Sequence, residues 1–424
     1  MSGPGVFVVA EKLLRKFKGD SLRARVTFRD DVVDAQGDSI DDVLVVCYQN
    51  PSSYTGEDVV EVSGHGGIHV TRRVLERCLE CGARLAEAGE FSLRAFLNSK
   101  LDLTQAEAVM DLISAQTDLA AKAAREQLSG NLGKAVAVVR EEIINLTAHV
   151  EAYIDFPEED ISPETGEALE QSFQTLEESI GSLLGTAQRG RLLREGARVA
   201  IVGAPNAGKS SLLNALLGYE RAIVSQEAGT TRDTVEEVLD FDGFPVRLID
   251  TTGLREEGSE IEKEGMARAR QRMEDADLIV ELVDASQEKG NRLTEGGLLV
   301  LNKVDLGEHG SWSSAEGAEE VLRISVKDEQ GLEDLRQEVA HRLGGGLSEN
   351  SGGALLAINA RHQDCLRRAE ASLAEARQML ASGEEPEFVS LPLREALQAV
   401  GEVAGRIDTD EILGSIFSQF CIGK

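Results

Sequence analysis

Basic residues are scarce in this 424-residue chain: 44 Lys and Arg stand against 75 Asp and Glu, a formal net charge of −31. Tight, autonomous binding to a nucleic-acid backbone needs clustered Lys and Arg, so that role is excluded unless a basic partner shares it. The surplus acid reads as a solvated helix surface. Aromatic residues are few as well, at 4% with one tryptophan, so any core is built mainly from aliphatic side chains. No apolar run approaches the ~20 residues needed to span a bilayer, which predicts no membrane association. Cysteine is limited to Cys47, Cys78, Cys81, Cys365 and Cys421. The odd count, with no leader-like segment, points to a reducing, cytoplasmic setting. Cys78 and Cys81 have C-x-x-C spacing, but no second pair or His cluster completes a metal site, and they read as incidental thiols. The ending Cys421-Ile422-Gly423-Lys424 fits a prenylation signal poorly.

What remains is a globular composition too long for one core, which predicts two or three domains. Residues 1–98 mix short strands, 43–48 and 58–63, with a helix at 68–80; turn chemistry at 51–57 and 64–67 separates them. From Leu103 the pattern is helical. Val139, Ile143, Leu146 and Val150 recur at three- and four-residue intervals, as do Leu169, Phe173, Leu176, Ile180 and Leu183. Pro157 and Pro163 separate these two stretches. Residues 195–344 alternate strands and helices, the pattern of an α/β domain with a mostly parallel sheet. Helical periodicity returns with Leu366, Ala369, Leu373, Ala376 and Leu380, then Leu393, Leu397, Val400 and Val403. Helices on both sides of the α/β block predict that it is inserted into one helical domain, 99–194 with 345–424. Gly344-Gly345-Gly346 and residues 348–353 would form the flexible exit. The expected fold class is therefore multidomain α+β.

The most specific run is Gly203-Ala204-Pro205-Asn206-Ala207-Gly208-Lys209-Ser210, which fits G-x-x-x-x-G-K-[ST]. Residues 198–202 before it read as an apolar strand, and residues 211–217, starting at Ser211, as an amphipathic helix. Strand, glycine loop and helix N-terminus together make a phosphate cradle of backbone N–H groups. Lys209 would reach the β- and γ-phosphates, and the Ser210 hydroxyl would hold Mg²⁺.

Three further pieces follow in order. Gly229-Thr230-Thr231-Arg232-Asp233 lies in a polar loop, where Thr231 offers a second hydroxyl to Mg²⁺. Asp250-Thr251-Thr252-Gly253 follows a strand at 246–249; an acid there can polarise a metal-bound water while the Gly amide approaches the γ-phosphate. Asn302-Lys303-Val304-Asp305 follows a strand at 298–301. The Asp305 carboxylate would accept two N–H groups from a guanine edge, a bidentate contact that adenine cannot offer. Ser325-Val326-Lys327, after a strand at 321–324, fits the weaker motif that backs the base. Four such pieces in sequence predict a GTP site.

Small GTPases place a water-orienting Gln beside the D-x-x-G motif and use an Arg finger. Here the adjacent residue is Leu254, which can do neither. Glu256, Glu257, Glu260, Glu262 and Glu264 compete to orient water. Arg232, Arg255 or a bound monovalent cation would supply the compensating charge.

These residues resemble the bacterial MnmE (TrmE) family of tRNA-modification GTPases. The likeness runs through residues 51–67, the long stretch 89–103 that opens Gly89-Glu90-Phe91, Tyr153-Ile154-Asp155-Phe156, and the terminal Phe420-Cys421-Ile422-Gly423-Lys424. The resemblance implies an N-terminal α+β domain (1–98) that dimerises and binds 5-formyl-tetrahydrofolate. It implies a helical domain and an inserted P-loop GTPase domain (195–344). An FAD-dependent partner of the MnmG (GidA) type would join it in a heterotetramer that modifies the wobble uridine of certain tRNAs with a carboxymethylaminomethyl- or aminomethyl-type group.

By the same resemblance, K⁺ replaces the Arg finger and the GTPase domains meet across it. Asn206, Ser225, Glu227 and Thr230 would ligate K⁺, with Gln226 and Ala228 in the same nucleotide-binding loop. Ser210 and Thr231 would hold Mg²⁺, and Glu262 would position water. Glu61, Lys100 and Lys424 become folate candidates, and Cys421 a possible nucleophile with a buried-hydrophobe reading of equal weight. His65 reads as a turn residue.

Two departures from the family pattern stand out. The family opens with a strand and a Gly-rich segment carrying a folate-binding Arg, whereas this chain begins at Ser2-Gly3-Pro4. A misassigned start is the expectation, with a degenerate folate site as the alternative. Only 17 residues lie between Asp284 and Asn302, too few for a helix and a strand at full length. Two other readings are a ribosome-assembly GTPase, which normally carries a basic RNA-binding domain, and a folate-binding scaffold with a GTP switch.

Overall fold

A computed structural model describes residues 1–19, 24–155, 164–219, 238–250, 275–294, 296–313, 321–344, 356–382, 386–405, 416 and 420. They fall into two compact units, Met1–Met110 with Val400–Lys424, and Asp111–Ala399.

In the first unit, β1 (Phe28–Val33), β2 (Ser39–Tyr48) and β3 (Val59–Ser63) form an antiparallel sheet in that order. β2 turns Val43, Val45 and Cys47 inward, the alternation of a strand with one buried face. α1 (Val6–Leu13) contributes Val6, Ala10 and Leu13 to the same core, joined by Phe17, Val32, Val60 and Cys81. Their four- and three-residue spacing keeps them on one helix face. The Phe17 and Phe28 rings stack with centroids 5.9 Å apart. α1 was not among the expected elements. Its run Val6-Phe7-Val8-Val9 favours extended chain locally, and burial of its apolar face overrides that preference.

α2 (Ile68–Glu80) follows, as expected, and only its partly buried Val74 and Cys78 pack on this core. Burial pushes the Cys78 and Cys81 thiols up, and that of Cys47 to about 11, so all three sit in the core as protonated thiols. α3 (Glu90–Leu97) and α4 (Leu103–Ser114) follow; Leu103 and Ala106 bury together with Phe420, and Phe96 packs on them.

The second unit carries α5 (Asp118–Leu128), α6 (Asn131–Asp155), α7 (Glu164–Leu184), α8 (Ala187–Glu195) and, later in the chain, the helix Ala360–Ala381. Most of the expected apolar stripes are buried: Val139, Ile143, Leu146 and Val150; Phe173, Leu176, Ile180 and Leu183; Leu366, Ala369, Leu373 and Ala376; Leu169 and Leu380, at the ends of their stripes, are half-buried. Each large side chain so buried is worth about 1.5–3 kcal/mol. Arg377 fastens Ala360–Ala381 to α7 through Glu170 and, at 2.7 Å, Glu177. The helix Pro386–Val403 buries Leu393 and Val400 and tolerates an internal Pro392.

Between these helices in the chain lies a six-stranded sheet of order β5-β6-β4-β7-β8-β9. Its strands are β4 (Ala197–Val202), β5 (Val238–Phe241), β6 (Phe244–Asp250), β7 (Leu278–Asp284), β8 (Leu298–Asn302) and β9 (Leu322–Arg323). Only β5 runs antiparallel. β8 is buried along its whole length, as a parallel strand covered on both faces must be. β4 has β6 on one side and β7 on the other, so the chain reverses its direction of winding there. The crevice beyond the carboxyl end of β4 is where such sheets bind ligands.

Thus the multidomain α+β class read from the sequence is the observed one, with the α/β block set into a helical context. The stretch after Asp284 keeps a five-residue strand, β8, and residues 285–297 hold no helix among those described. Pro157, Pro163 and the glycine-rich exit at 345–353 lie outside the described residues.

Candidate functional site: a phosphate loop tied to a base-recognition motif

β4 stops at Val202 and α9 (Lys209–Tyr219) starts at Lys209, leaving residues 203–208 to turn between them. Gly203 and Gly208 have φ of 156° and 103°, and Asn206 takes the left-handed conformation at φ 63°. A Cβ on Gly203 would stand 2.2 Å from the Leu282 carbonyl oxygen, and one on Gly208 2.3 Å from Asn302 Nδ2. Glycine is required at both. Lys209 Nζ donates to the carbonyls of Gly203 and Ala204 at 2.8 and 2.9 Å, holding the ammonium over the loop. The first turn of α9 carries the positive end of the helix dipole, the arrangement that receives a phosphate. Ala207 is buried; Asn206, Ser210 and Ser211 are exposed.

Asn302, 2% exposed, crosses to this loop. Its Nδ2 donates to the Ala207 carbonyl at 2.8 Å, and its Oδ1 accepts the Val326 N–H at 3.2 Å. One side chain thus joins the phosphate loop, the end of β8 and the loop after β9. Ser325, fully buried, donates its hydroxyl to Asp305 Oδ1 at 2.9 Å and accepts the Asp328 N–H at 3.2 Å. The Asp305 carboxylate is exposed and oriented by that bond, while Lys327 is exposed beyond it. Lys303 has left-handed backbone at φ 66°, and its ammonium bonds Asp284 Oδ2 at 2.7 Å.

So the structure brings Asn206, Ala207, Gly208, Lys209, Ser210, Ser211, Asn302, Lys303, Asp305, Ser325 and Val326 to the carboxyl ends of β4, β8 and β9. Asp250 ends β6 and pairs in register with Ile201 of β4, at the same end of the sheet. Ser225, Gln226, Glu227, Ala228, Gly229, Thr230, Thr231, Thr251, Thr252, Gly253, Leu254 and Glu262 lie outside the described residues, as do Arg232 and Arg255.

The sequence did not disclose Asp284, whose only signal was its place at a strand end, or the cavity beside the loop. That cavity, of about 490 Å³, is lined by Ala204, Pro205, Asn206, Glu281, Asp284 and Trp312 among others, and opens against the 285–297 stretch. Glu281 is 2% exposed and anchors that stretch by accepting the Leu293 N–H at 2.8 Å and the Thr294 hydroxyl at 3.2 Å.

In the first unit, Glu61 is an exposed carboxylate on β3, reached by the Tyr48 hydroxyl at 3.4 Å. Lys100 is exposed, and its side chain lies against the Gly56 turn. Lys424 and Cys421 lie outside the described residues. His65 lies in the connection between β3 and α2, fastened by Asp41 through its backbone N–H and its Nδ1, each at 2.8 Å.

A network missed in the sequence joins three separate segments. Ser2 Oγ meets Thr55 and Glu57 at 2.7 and 2.8 Å, and Arg94 bonds Glu57 at 3.0 Å and also Glu90. Arg84 bonds Glu90 from the other side. The hydrogen bond from Arg84, opposed by burial and helped by the Glu87 N–H and Arg94, lowers the Glu90 carboxyl to about 2. Of this network, Ser2, Arg84, Glu90 and Arg94 line a second cavity, of about 250 Å³.

Comparison with known proteins agrees with this architecture. The family described as GTP-binding protein TrmE N-terminus matches residues 1–100, and the MnmE helical domain matches residues 103–421. The chain is 48% identical to the tRNA modification GTPase MnmE of Akkermansia muciniphila and 43% identical to that of Aquifex aeolicus. Each match covers all of this chain and 95% of the relative. The FeoB G-domain from Methanococcus jannaschii is 25% identical over 35% of this chain and 98% of its own, at a TM-score of 0.25, too low to bear on the assignment. Two family matches spanning nearly the whole chain, and relatives matched over all of it, place it: the chain belongs to the MnmE (TrmE) family of tRNA modification GTPases.

Proposed function

We propose that this chain hydrolyses GTP at the Gly203–Ser210 loop, with G-domain dimerisation around K⁺ accelerating the step, in the modification of the wobble uridine of tRNA. The observation that carries the nucleotide reading is the pair of bonds made by Asn302, which tie the phosphate loop to the loop backing the base. Those two bonds support reading phosphate recognition and the Asp305 carboxylate as parts of one crevice. Asp305 accepts from a guanine edge, and Ser325 keeps its carboxylate turned outward. Lys209 and the α9 amides take the phosphates.

The donor set fits two cations. The Ser210 hydroxyl stands exposed at the start of α9, where with Thr231 it would hold Mg²⁺. Asn206, exposed and left-handed, offers an amide oxygen at the loop's outer edge, where with Ser225, Glu227 and Thr230 it would hold K⁺. Bound there, the cations would neutralise charge on the transferring phosphoryl oxygens. Leu254 cannot orient water, and of the five glutamates that follow it the family resemblance favours Glu262 as the water-positioning group.

The domain reading is 1–98 for the dimerising, folate-binding part, 99–194 with 345–424 for the helical part, and 195–344 for the GTPase part. An exposed carboxylate at Glu61 and an exposed ammonium at Lys100 suit the two ends of a folate, the amidine-like pterin edge and the glutamate carboxylates; Lys424 joins them. The one-carbon donor is 5-formyl-tetrahydrofolate, and the working assembly is cytoplasmic, a homodimer joined to an FAD-dependent partner of the MnmG type. That partner supplies the basic surface for tRNA that a chain of net charge −31 lacks. Measuring GTP turnover in KCl against NaCl tests the K⁺ step: several-fold faster turnover in KCl, lost in Asn206→Ala with GTP binding retained, supports it. Equal rates in the two salts overturn it.

A further inference from the structure

We propose that Asp284 is a positioning residue for guanine recognition, acting through Lys303. This rests on the reading of residues 302–305 as the guanine site. Asp284 is the last residue of β7 and pairs in register with Asn302, the last residue of β8, so the sheet fixes it one residue away from Lys303. The Ala285 N–H, immediately after it, donates to the Asn302 carbonyl at 2.8 Å.

The two carboxylate oxygens do different work. Oδ1 accepts the backbone N–H and the hydroxyl of Ser286, at 3.0 and 2.7 Å, which folds the chain away from the strand end. Oδ2 takes the Lys303 ammonium at 2.7 Å. The side chains are only 17% and 31% exposed, so the pair is shielded from the screening that weakens surface ion pairs. Burial raises the Asp284 carboxyl, and the hydrogen bonds from Lys303 and Ser286 more than offset it, leaving the group ionised.

Lysine needs such a partner here. Its four-carbon stem is the most adaptable of the motif's side chains. Its backbone is left-handed, at φ 66° and ψ 35°, a conformation a non-glycine residue keeps only where its surroundings over-determine it. The bonds flanking Lys303, Ala285 N–H to Asn302 and Val304 N–H to the Ile324 carbonyl, fix its backbone; Asp284 fixes its far end. Held at both ends, the stem is a rigid edge of the base site. Asp284 also lines the cavity beside the phosphate loop, which makes it the joint between the 285–297 stretch and the guanine motif.

The test is a double-mutant cycle on the full chain, reading the affinity for a fluorescent GDP analogue. Asp284→Asn keeps an acceptor for the Ser286 turn and removes the charge that holds Lys303. It is expected to weaken binding on the order of tenfold, as is Lys303→Met, and the double variant is expected to be no weaker than Lys303→Met alone. Nucleotide-free melting checks folding, and Asp284→Ser replaces the Asn variant should that one not fold. Wild-type affinity in Asp284→Asn, or a loss that persists in full on the Lys303→Met background, overturns the inference while leaving the guanine site standing. A wild-type chain that fails to bind guanine nucleotide overturns the site reading and the inference with it.

Discussion

Asn302 and Ala207 are 95 residues apart in the chain and joined by a 2.8 Å hydrogen bond from the Asn302 amide to the Ala207 carbonyl. This bond ties the phosphate loop to the Asn302–Asp305 segment. Asn302→Ala leaves the buried Ala207 carbonyl and the Val326 N–H without that partner. An unsatisfied buried group costs about 1–3 kcal/mol, so the variant should unfold at lower urea and bind GTP and GDP at least tenfold more weakly. Equilibrium unfolding, with titration of a fluorescent nucleotide, checks both.

Gly208 packs where the two motifs meet. Its φ of 103° and the 2.3 Å separation between an added Cβ and Asn302 Nδ2 act together. Gly208→Ala must strain the loop and push Asn302 aside, so it should lose nucleotide binding outright while the helices keep their far-ultraviolet signal. Isothermal titration beside circular dichroism separates the two effects.

The helical part and the sheet meet within the second unit at Thr117. Its hydroxyl donates to the Gly243 carbonyl at 2.6 Å in the β5–β6 turn and accepts the Ala120 N–H at 3.2 Å as the N-cap of α5. Thr117→Val keeps the shape and removes both bonds. A lost cap costs about 1 kcal/mol, and the orphaned turn carbonyl adds to it, so a loss of about 1–3 kcal/mol is expected in chemical denaturation.

Glu90 gives the first unit an acid-dependent component of stability. Its carboxyl lies near 2 in the folded chain, below the ordinary glutamate value near 4.5. The folded state therefore holds fewer protons than the unfolded one between those values. The stabilisation is complete above the ordinary value and is lost as pH falls toward 2. Glu90→Gln should be less stable than wild type at pH 7, and the gap should close as pH drops from 5 to 2. Melting temperatures across that range report it; a constant gap would place the Arg84–Glu90–Arg94 network elsewhere in the energetics.

The strand, glycine loop and helix around Lys209 were legible because glycine spacing and a short apolar run encode local geometry directly. The stripes of α6, α7 and Ala360–Ala381 were legible for the same reason, since burial follows the 3.6-residue period. α1 was not, because its valines favour strand and only tertiary burial makes them helical. The Asn302 bridge, the Ser325–Asp305 bond and the Arg94 network join residues far apart in sequence, so no local pattern carries them. The short stretch after Asp284 was countable; that it leaves a cavity against the phosphate loop required the sheet.

The central claim is that the crevice is built for guanine through Asp305. Nucleotide affinity of Asp305→Asn measures it most directly. An amide in place of the carboxylate offers a donor toward the base, so the variant should lose GTP by at least a hundredfold and gain xanthosine triphosphate, whose base carries an oxygen where guanine has its amino group. GTP binding at wild-type strength, with no gain for xanthosine triphosphate, would contradict the account.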